Sequence, residues 1–421
     1  MPKRERRTAT TSTLARVNQT AIIEALRSSG ALSRQQLGSI TGLSPATINR
    51  LTAALIDGGM VVQAGQVPST GGRPAVLLRY AGGSRVVSAI QVRADRATGV
   101  LVDFDGKIIV RREVDFGPRL AQRDVGGVDA GECERDKNAR LEKTFDLLDT
   151  LIETAASMGT PCVAAGVAVP GVVQHPEGRV SRTPELDWSD LPLGQLLRAR
   201  TPIPIVVEND ANALAFGEFH RGAGRGVDSL VALVLENGLG AGIITNGQLH
   251  RGARAEAGEI GYLLMDRISL SRSFSDIGDL EDRVGSIALT RRARACGLPV
   301  PERGVTAEYV FALANEGNAT AARIAEEILD MIAIAVGAMV VILDPELVVV
   351  GSSFVGSAET VIPAIQERLS GRITGVPPVV PAVHRKDAVL IGVAELAAAE
   401  VNGFAYFATN SGAGRLGQAT V

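Results

Sequence analysis

At the end of an apolar run from Ile203 to Val207 the chain reads Glu208-Asn209-Asp210-Ala211-Asn212-Ala213. Carboxylates accept hydrogen bonds and a carboxamide both donates and accepts, so such a cluster at a strand end suits the hydroxyls of a small polar ligand. An aspartate there can also take a proton from a hydroxyl, the step that starts phosphoryl transfer to it. The same residues, with Glu218 further on, could instead cap and pair around a helix start.

The elements that must hold this cluster read as an α/β body. Val86 to Gln91, Thr98 to Asp103 and Lys107 to Glu113 are β-prone runs parted by turns such as Asp105-Gly106. A helix is predicted from Ala139 to Met158. The preceding stretch, Gly117 to Asn138, lacks a sustained apolar period and is expected to be a loop or partly disordered insertion. Cys162 to Pro170 reads as a buried strand closed by the turn Pro170-Gly171. Leu230 to Leu235 and Gly242 to Thr245 flank Glu236-Asn237-Gly238-Leu239-Gly240-Ala241, and Leu347 to Gly351 follows a long helix ending before Asp344-Pro345. Two α/β lobes with a cleft between them are expected: residues 83–207, with a C-terminal helix 388–403 packing back, and residues 208–387. The tail 404–421 is expected to be disordered.

Ahead of this body, residues 1–80 carry 10 Lys+Arg against 3 Asp+Glu, and the remainder 33 against 43. A basic head on an acidic body is the pattern of a polyanion-binding module joined to an effector domain. Leu14, Val17, Ile22, Ile23 and Leu26 recur at helical spacing up to Gly30. Ser33 caps a second, short helix, Gly42 makes a turn, and Ser44-Pro45 opens a third with a serine cap and proline in the first turn. Leu37, Ile40, Leu43, Ile48, Leu51 and Leu55 are predicted to face inward. Ser44, Ala46, Thr47, Asn49 and Arg50, at the start of the third helix, are then candidates to reach bases and phosphates in a major groove. Met60 to Gln63 and Ala75 to Arg79 read as two strands of a wing. Between them Gly71-Gly72-Arg73-Pro74 offers Arg73 to a minor groove, or forms a plain linker.

Three cysteines, Cys133, Cys162 and Cys296, indicate neither a disulfide framework nor a Cys-based zinc site. The start Met1-Pro2-Lys3-Arg4-Glu5-Arg6-Arg7 is followed by Thr and Ser, so no export signal is expected. The longest apolar run, Met331 to Leu343, is shorter than the roughly 20 residues that cross a bilayer. A cytoplasmic protein with no membrane partner is expected.

Asn209-Asp210-Ala211-Asn212-Ala213, Gly217-Glu218, Gly247 to Gly252, Ala257-Gly258-Glu259-Ile260-Gly261 and Asp344-Pro345-Glu346 with Val350-Gly351 together resemble the ROK family of repressors and sugar kinases. The resemblance covers nearly all of residues 13–400, the winged head included. It implies a winged helix-turn-helix followed by a two-lobed, actin-like (ribonuclease H-like) sugar kinase fold, assembled as a homodimer or homotetramer. It places Asp210 at the catalytic base position, and points Asn209, Asp210, Glu259 and Glu281 at sugar hydroxyls with Gly171 at the rim. Tyr262 stands where the family has a histidine that contacts sugar.

The sequence departs from the family's kinases in two places. Their first phosphate loop, Asp-x-Gly-Gly-Thr-Lys, is matched by Gln91-Val92-Arg93-Ala94-Asp95-Arg96, and the second, Gly-Thr-Gly-x-Gly, by Glu236-Asn237-Gly238-Leu239-Gly240. Side chains and acids replace the small groups that would admit phosphate. The positions of the family's zinc ligands hold Tyr262, Arg272, Phe274 and Asp279, so neither zinc nor another cofactor is expected. The resulting expectation is a sugar-responsive regulator, a repressor, that binds a double-stranded operator and does not catalyse. An ATP-dependent sugar kinase with a regulatory head, or a DNA-binding protein whose body is only an oligomerisation scaffold, are the alternatives.

Overall fold

A computed structural model describes residues 11–67, 75–117, 130–183, 185–236, 238–274 and 277–401. The head consists of α1 (Thr11–Ser29), β1 (Leu32–Ser33), α2 (Arg34–Thr41), α3 (Pro45–Asp57), β2 (Val61–Val67) and β3 (Ala75–Tyr80), with its strands in the order β1-β3-β2. Its local signals act as the sequence predicts. Ser33 forms a reciprocal capping box with Gln36, Gly42 closes α2 in the left-handed conformation, and Ser44 caps α3 with Pro45 in its first turn. Ile22, Ile23, Leu26, Leu37, Ile48, Leu51, Leu55 and Leu78 form the head's buried centre. Ile40 departs from expectation, with 54% of its surface exposed, and Leu43 is half-buried. Helix α2 has only two turns, and the chain leaves it at Gly42 before another element can cover Ile40.

The first lobe contains β4 (Val86–Val92), β5 (Arg96–Asp103), β6 (Ile108–Asp115), α4 (Ala130–Ser157), β7 (Cys162–Val169), β8 (Val172–Gln174), β9 (Arg179–Thr183), β10 (Trp188–Leu191), α5 (Leu193–Arg200) and β11 (Ile205–Asn209). Its main sheet runs β11-β7-β4-β5-β6, and β8, β9 and β10 form a small antiparallel sheet beside it. Helix α4 begins nine residues before the predicted Ala139, so the end of the supposed loop insertion is helical. Charge pairs of helical spacing, Glu134 with Lys137 and Asp136 with Arg140, stabilise this polar stretch without an apolar period. Residues 118–129 of the insertion lie outside the described residues, as do Arg73 and the tail 404–421.

The second lobe follows, with α6 (Asp210–Arg221), β12 (Leu230–Leu235), β13 (Leu239–Thr245), β14 (Gln248–Leu249), α7 (Glu281–Val284), α8 (Ser286–Ala295), α9 (Ala307–Asn315), α10 (Ala319–Leu343), β15 (Leu347–Val350), α11 (Ala358–Leu369) and β16 (Val379–Pro381), after which α12 (Ala388–Glu400) packs back on β4 and β7 of the first lobe. Its sheet, β14-β13-β12-β15-β16, repeats the first lobe's plan of three antiparallel strands extended by two parallel ones. Strand β13 begins at Leu239 and not at the expected Gly242, because Gly240 and Gly242 lie within it. A Cβ on Gly242 would meet the Ala211 carbonyl oxygen at 2.1 Å, so glycine here lets α6 press against the strand. Helices α6 and α12 cross between the lobes by the same means: a Cβ on Gly392 would lie 1.8 Å from the Ala213 carbonyl oxygen. Among the described residues no helix is long and apolar enough to cross a membrane.

Candidate functional site

Strand β11 delivers Glu208, Asn209 and Asp210 to the cleft and α6 starts there, but the three side chains part company. Glu208 has no exposed surface. It accepts from the Asn209 amide at 2.9 Å, from Asn212 Nδ2 at 3.1 Å and from both Arg251 Nε and Nη2, at 3.0 and 2.7 Å. His175 Nε2 lies 3.0 Å from the same carboxylate, off the line of a good hydrogen bond, and adds charge proximity. Burial raises the Glu208 pKa, yet His175 and Arg251 together bring it below its ordinary value. This carboxylate therefore builds the site and takes no part in lining it.

Asn209 is the N-cap of α6: its Oδ1 accepts from the Asn212 amide at 3.0 Å and its Nδ2 donates to the Gly171 carbonyl at 2.9 Å. Gly171 has φ +83°, and a Cβ there would meet the Arg182 carbonyl oxygen at 2.3 Å, so only glycine fits the rim. Glu218 serves the far end of α6, accepting from the Ala223 amide at 2.9 Å and the His384 amide at 3.3 Å. Asn209 thus caps α6 and Glu218 serves its far end, while Asp210, whose Oδ1 accepts from the Ala211 amide at 2.8 Å, lines the cavity.

The structure gathers Gly171, Asn209, Asp210, Glu259, Tyr262 and Glu281 around one cavity, together with Arg93 and Glu236 from the two stretches matched to phosphate loops and with Arg182, Thr183 and Glu185, which the sequence did not point to. Glu185 carries no local signal beyond a turn after β9, and only the folded hairpin brings it across the cleft. Burial, then the charges of Glu236, Glu185 and Glu259, push Asp210 well above the ordinary carboxylate range. Burial raises Glu259 against the pull of Arg182. Glu281 is pushed up to about 7 by burial and the charge of Glu259, again against Arg182. Tyr262 accepts a hydrogen bond from Arg182 Nη2, and the guanidinium lies 5.3 Å from its ring centroid.

On the other side of Asp210 the two loops matched to phosphate binding are tied to each other. Arg93 Nη2 donates to Glu236 Oε1 at 2.6 Å, and Ser352 Oγ donates to the same oxygen at 2.9 Å. Asp95 is held by Arg96 and by Arg303 Nη1 at 2.6 Å. Burial raises its pKa, but those two guanidiniums leave it lowered.

At the zinc-ligand positions, buried Asp279 accepts from the Met265 amide at 2.7 Å, Ser269 Oγ at 2.6 Å and Arg283 Nε at 3.1 Å. Arg272 pairs with Asp282 at 2.9 Å and lies 4.9 Å from the Phe274 ring centroid. These contacts cross-link the loop through side chains, and among the described residues no three His, Cys, Asp or Glu are arranged to hold a metal ion.

In the head, Ser44, Ala46, Asn49 and Arg50 are exposed along the start of α3 and Thr47 is half-buried. The Ser44 and Thr47 hydroxyls lie 2.9 Å apart, so they engage each other as well as the helix end.

A winged helix on two like-folded lobes with an acid-lined cleft defines an actin-like kinase fold fused to a DNA-binding type of head. The ROK family pattern matches residues 125–400, and the chain belongs to the ROK family. It is 27% identical over 372 residues to the xylose repressor of Caldicellulosiruptor bescii, covering 85% of this chain and 88% of that protein. It is 24% identical over 357 residues to the DNA-binding transcriptional dual regulator NagC of Escherichia coli K12, covering 83% and 84%. Among solved structures, a ROK family transcriptional regulator homologous to the E. coli MLC protein superposes with a TM-score of 0.72 at 21% identity, covering 93% of this chain and 98% of that one. A ROK family glucokinase from Streptomyces griseus, in complex with glucose and AMPPNP, gives 0.59 at 24% identity, covering 74% and 99%. These two likenesses speak to the fold.

Two measurements test the site. Glu208→Ala strands Arg251, His175 and two amide donors, and should lower the unfolding free energy by roughly 3–5 kcal/mol in urea titration; a loss within error would mean that the carboxylate does not organise the strand end. Glu281, about 7 when folded against an ordinary 4.5, keeps a proton that the unfolded chain releases, so it makes stability fall as pH rises through that window. Glu395, also pushed up to about 7 by burial, gives a parallel slope. Glu281→Gln should therefore flatten part of the decline of the urea midpoint between those values, and an unchanged profile would reject the assignment.

Proposed function

We propose that this protein is a sugar-responsive, DNA-binding transcriptional regulator, a repressor of carbohydrate-metabolism genes, whose cleft holds a sugar or sugar derivative and whose winged head holds a double-stranded operator. The observation that carries the reading is the Arg93–Glu236 ion pair, which joins the two loops where a kinase must leave room and positive charge for phosphate. Burial and the facing Glu236 raise the Asp210 pKa, which favours a protonated carboxyl that can donate to a hydroxyl. The names of the curated relatives point the same way. Work on a chromosome places the protein in the cytoplasm, with no metal or nucleotide cofactor.

Ser44, Ala46, Thr47, Asn49 and Arg50 are the proposed major-groove residues, with Arg73 reaching the minor groove from the wing. A homodimer or homotetramer supplies the paired heads that a palindromic operator requires. Ile334, Val341 and Ile342, exposed on one side of α10, suit contact with a second copy.

Helix α6 is the proposed link from cleft to head. It starts at the capped Asn209 and ends at Arg221, about 18 Å away for its 12 residues. There Arg221 Nη2 donates to the Phe104 carbonyl at 3.0 Å, and the hydroxyl of Tyr80, the last residue of the head's sheet, donates to that same carbonyl at 3.3 Å. Arg27 of α1 adds a 3.5 Å contact to Asp105. A ligand that shifts α6 between two positions would thereby shift the head, provided that it favours one position.

Selection of duplexes from a random pool, followed by footprinting, should return an inverted repeat, and the purified chain should not turn over ATP with hexoses. Steady ATP-dependent hexose phosphorylation would overturn the sensor reading in favour of a kinase. Arg50→Ala should weaken operator binding and reduce the slope of log affinity against log salt by about one; equal affinity and slope would remove Arg50 from the interface. Tyr80→Phe should leave operator affinity and effector affinity each near parent values while reducing the effector-induced change in operator affinity by roughly fivefold. Undiminished coupling would show that the signal takes another route.

A further inference from the structure

Arg34 opens α2 and reaches across to α3, where its Nε donates to Thr52 Oγ1 at 3.0 Å. Thr52 has no exposed surface, and its own hydroxyl donates to the Ile48 carbonyl at 2.7 Å. The polarity of the contact is therefore fixed, with the guanidinium as donor. Arg34 is half-buried, and the chain beside it is held firmly: Ser33 pairs with Leu77 of β3 and forms the capping box with Gln36. Among the described residues no carboxylate lies within ion-pair distance of this guanidinium, and the bond to Thr52 is its only hydrogen bond.

An arginine so placed is more than a brace between two helices. Thr52 Oγ1 lies 3.3 Å from the Asn49 carbonyl, on the flank of the exposed face that α3 presents with Ala46, Asn49, Arg50 and Ala53. When such a face enters a major groove, the walls of the groove are phosphates, and the helix before the reading helix crosses that backbone. The start of α2 is then the part of the head that meets the wall beside Asn49. With Nε already fixed, the planar guanidinium loses less side-chain freedom when its remaining N–H groups grip an oxyanion. Lysine would keep the charge but not the fixed fork.

We propose that Arg34 is a phosphate clamp of the DNA-reading head, with Thr52 as the positioning residue that holds it. The clamp adds affinity for any duplex and sets the depth of α3 in the groove, so that Asn49 and Arg50 reach the bases. This rests on the DNA-binding reading above and adds to it a contact outside α3 and the wing.

The test uses the full chain and two duplexes of equal length, one returned by selection from a random pool and one of mixed sequence, with affinity read by fluorescence anisotropy over a salt series. Arg34→Ala should weaken both complexes by about tenfold and reduce the slope of log affinity against log salt by about one. Should that variant fail to fold, Arg34→Gln keeps a long polar side chain, loses the charge and should give the same change of slope. Thr52→Val leaves the charge in place and should weaken both complexes by roughly threefold with the slope unchanged. Arg34→Lys should match Thr52→Val, slope included. Because Thr52 acts only through Arg34, joining Arg34→Ala with Thr52→Val should weaken binding no further than Arg34→Ala alone. A slope unmoved by loss of the Arg34 charge, an affinity unmoved by Thr52→Val, or additive losses in the double variant overturn the clamp and leave the DNA-binding reading intact. If the parent chain holds neither duplex at low salt, the DNA-binding reading falls and takes this inference with it.

Discussion

The Glu208 carboxylate is the constraint on which the rest of the cleft depends. It ends a central strand, sits with no exposed surface, and draws donors from the next residue, from the first turn of α6 and from Arg251 in the other lobe. A buried ion must have such partners or lose its charge, so the geometry around it is tightly specified. Because Glu208 is held inward, the next two residues turn outward in fixed order, Asn209 to cap α6 and Asp210 to face the cavity. The lobes are thereby joined at the floor of the cleft.

Elsewhere the cleft is held together by internal ion pairs. Arg93 with Glu236, and Arg303 with Asp95, span the side where phosphate would lie. Asp279 with Arg283 and Ser269 cross-links the loop at the zinc-ligand positions. Each pair satisfies charges that would otherwise be buried without a partner, and each leaves the Asp210 end of the cleft untouched. At that end Arg182 lies among Glu185, Asp210, Glu259 and Glu281, where burial and then mutual proximity raise the pKa values of Asp210 and Glu281.

Much of the architecture was legible because it is encoded locally. Ser33 and Ser44 as caps, Gly42 as a left-handed stop, the β-runs of both lobes and the apolar α10 each announce themselves within a few residues. The misjudged places share a different cause. The start of α4 is held by ion pairs and not by apolar spacing. Leu239 to Ala241 looked like a loop but belong to β13, in which Gly240 and Gly242 are kept small by the approach of α6. Ile40 lies on the expected face of α2, and among the described residues no element covers it.

The sequence by itself determined the order of elements, the family resemblance, the basic head and the presence of Asn209, Asp210, Glu259 and Glu281 in the cavity, since these rest on short-range pattern and motif. Tertiary structure alone decided that Glu208 is scaffold and Asp210 is lining, that Arg93 meets Glu236 across 143 positions of chain, and that Glu185 joins the acids of the cleft. The physical reason is that charge acts through space. Which carboxylate is paired, which is buried and which is raised depends on neighbours that strand order and helix crossing bring together, and no window along the chain contains them.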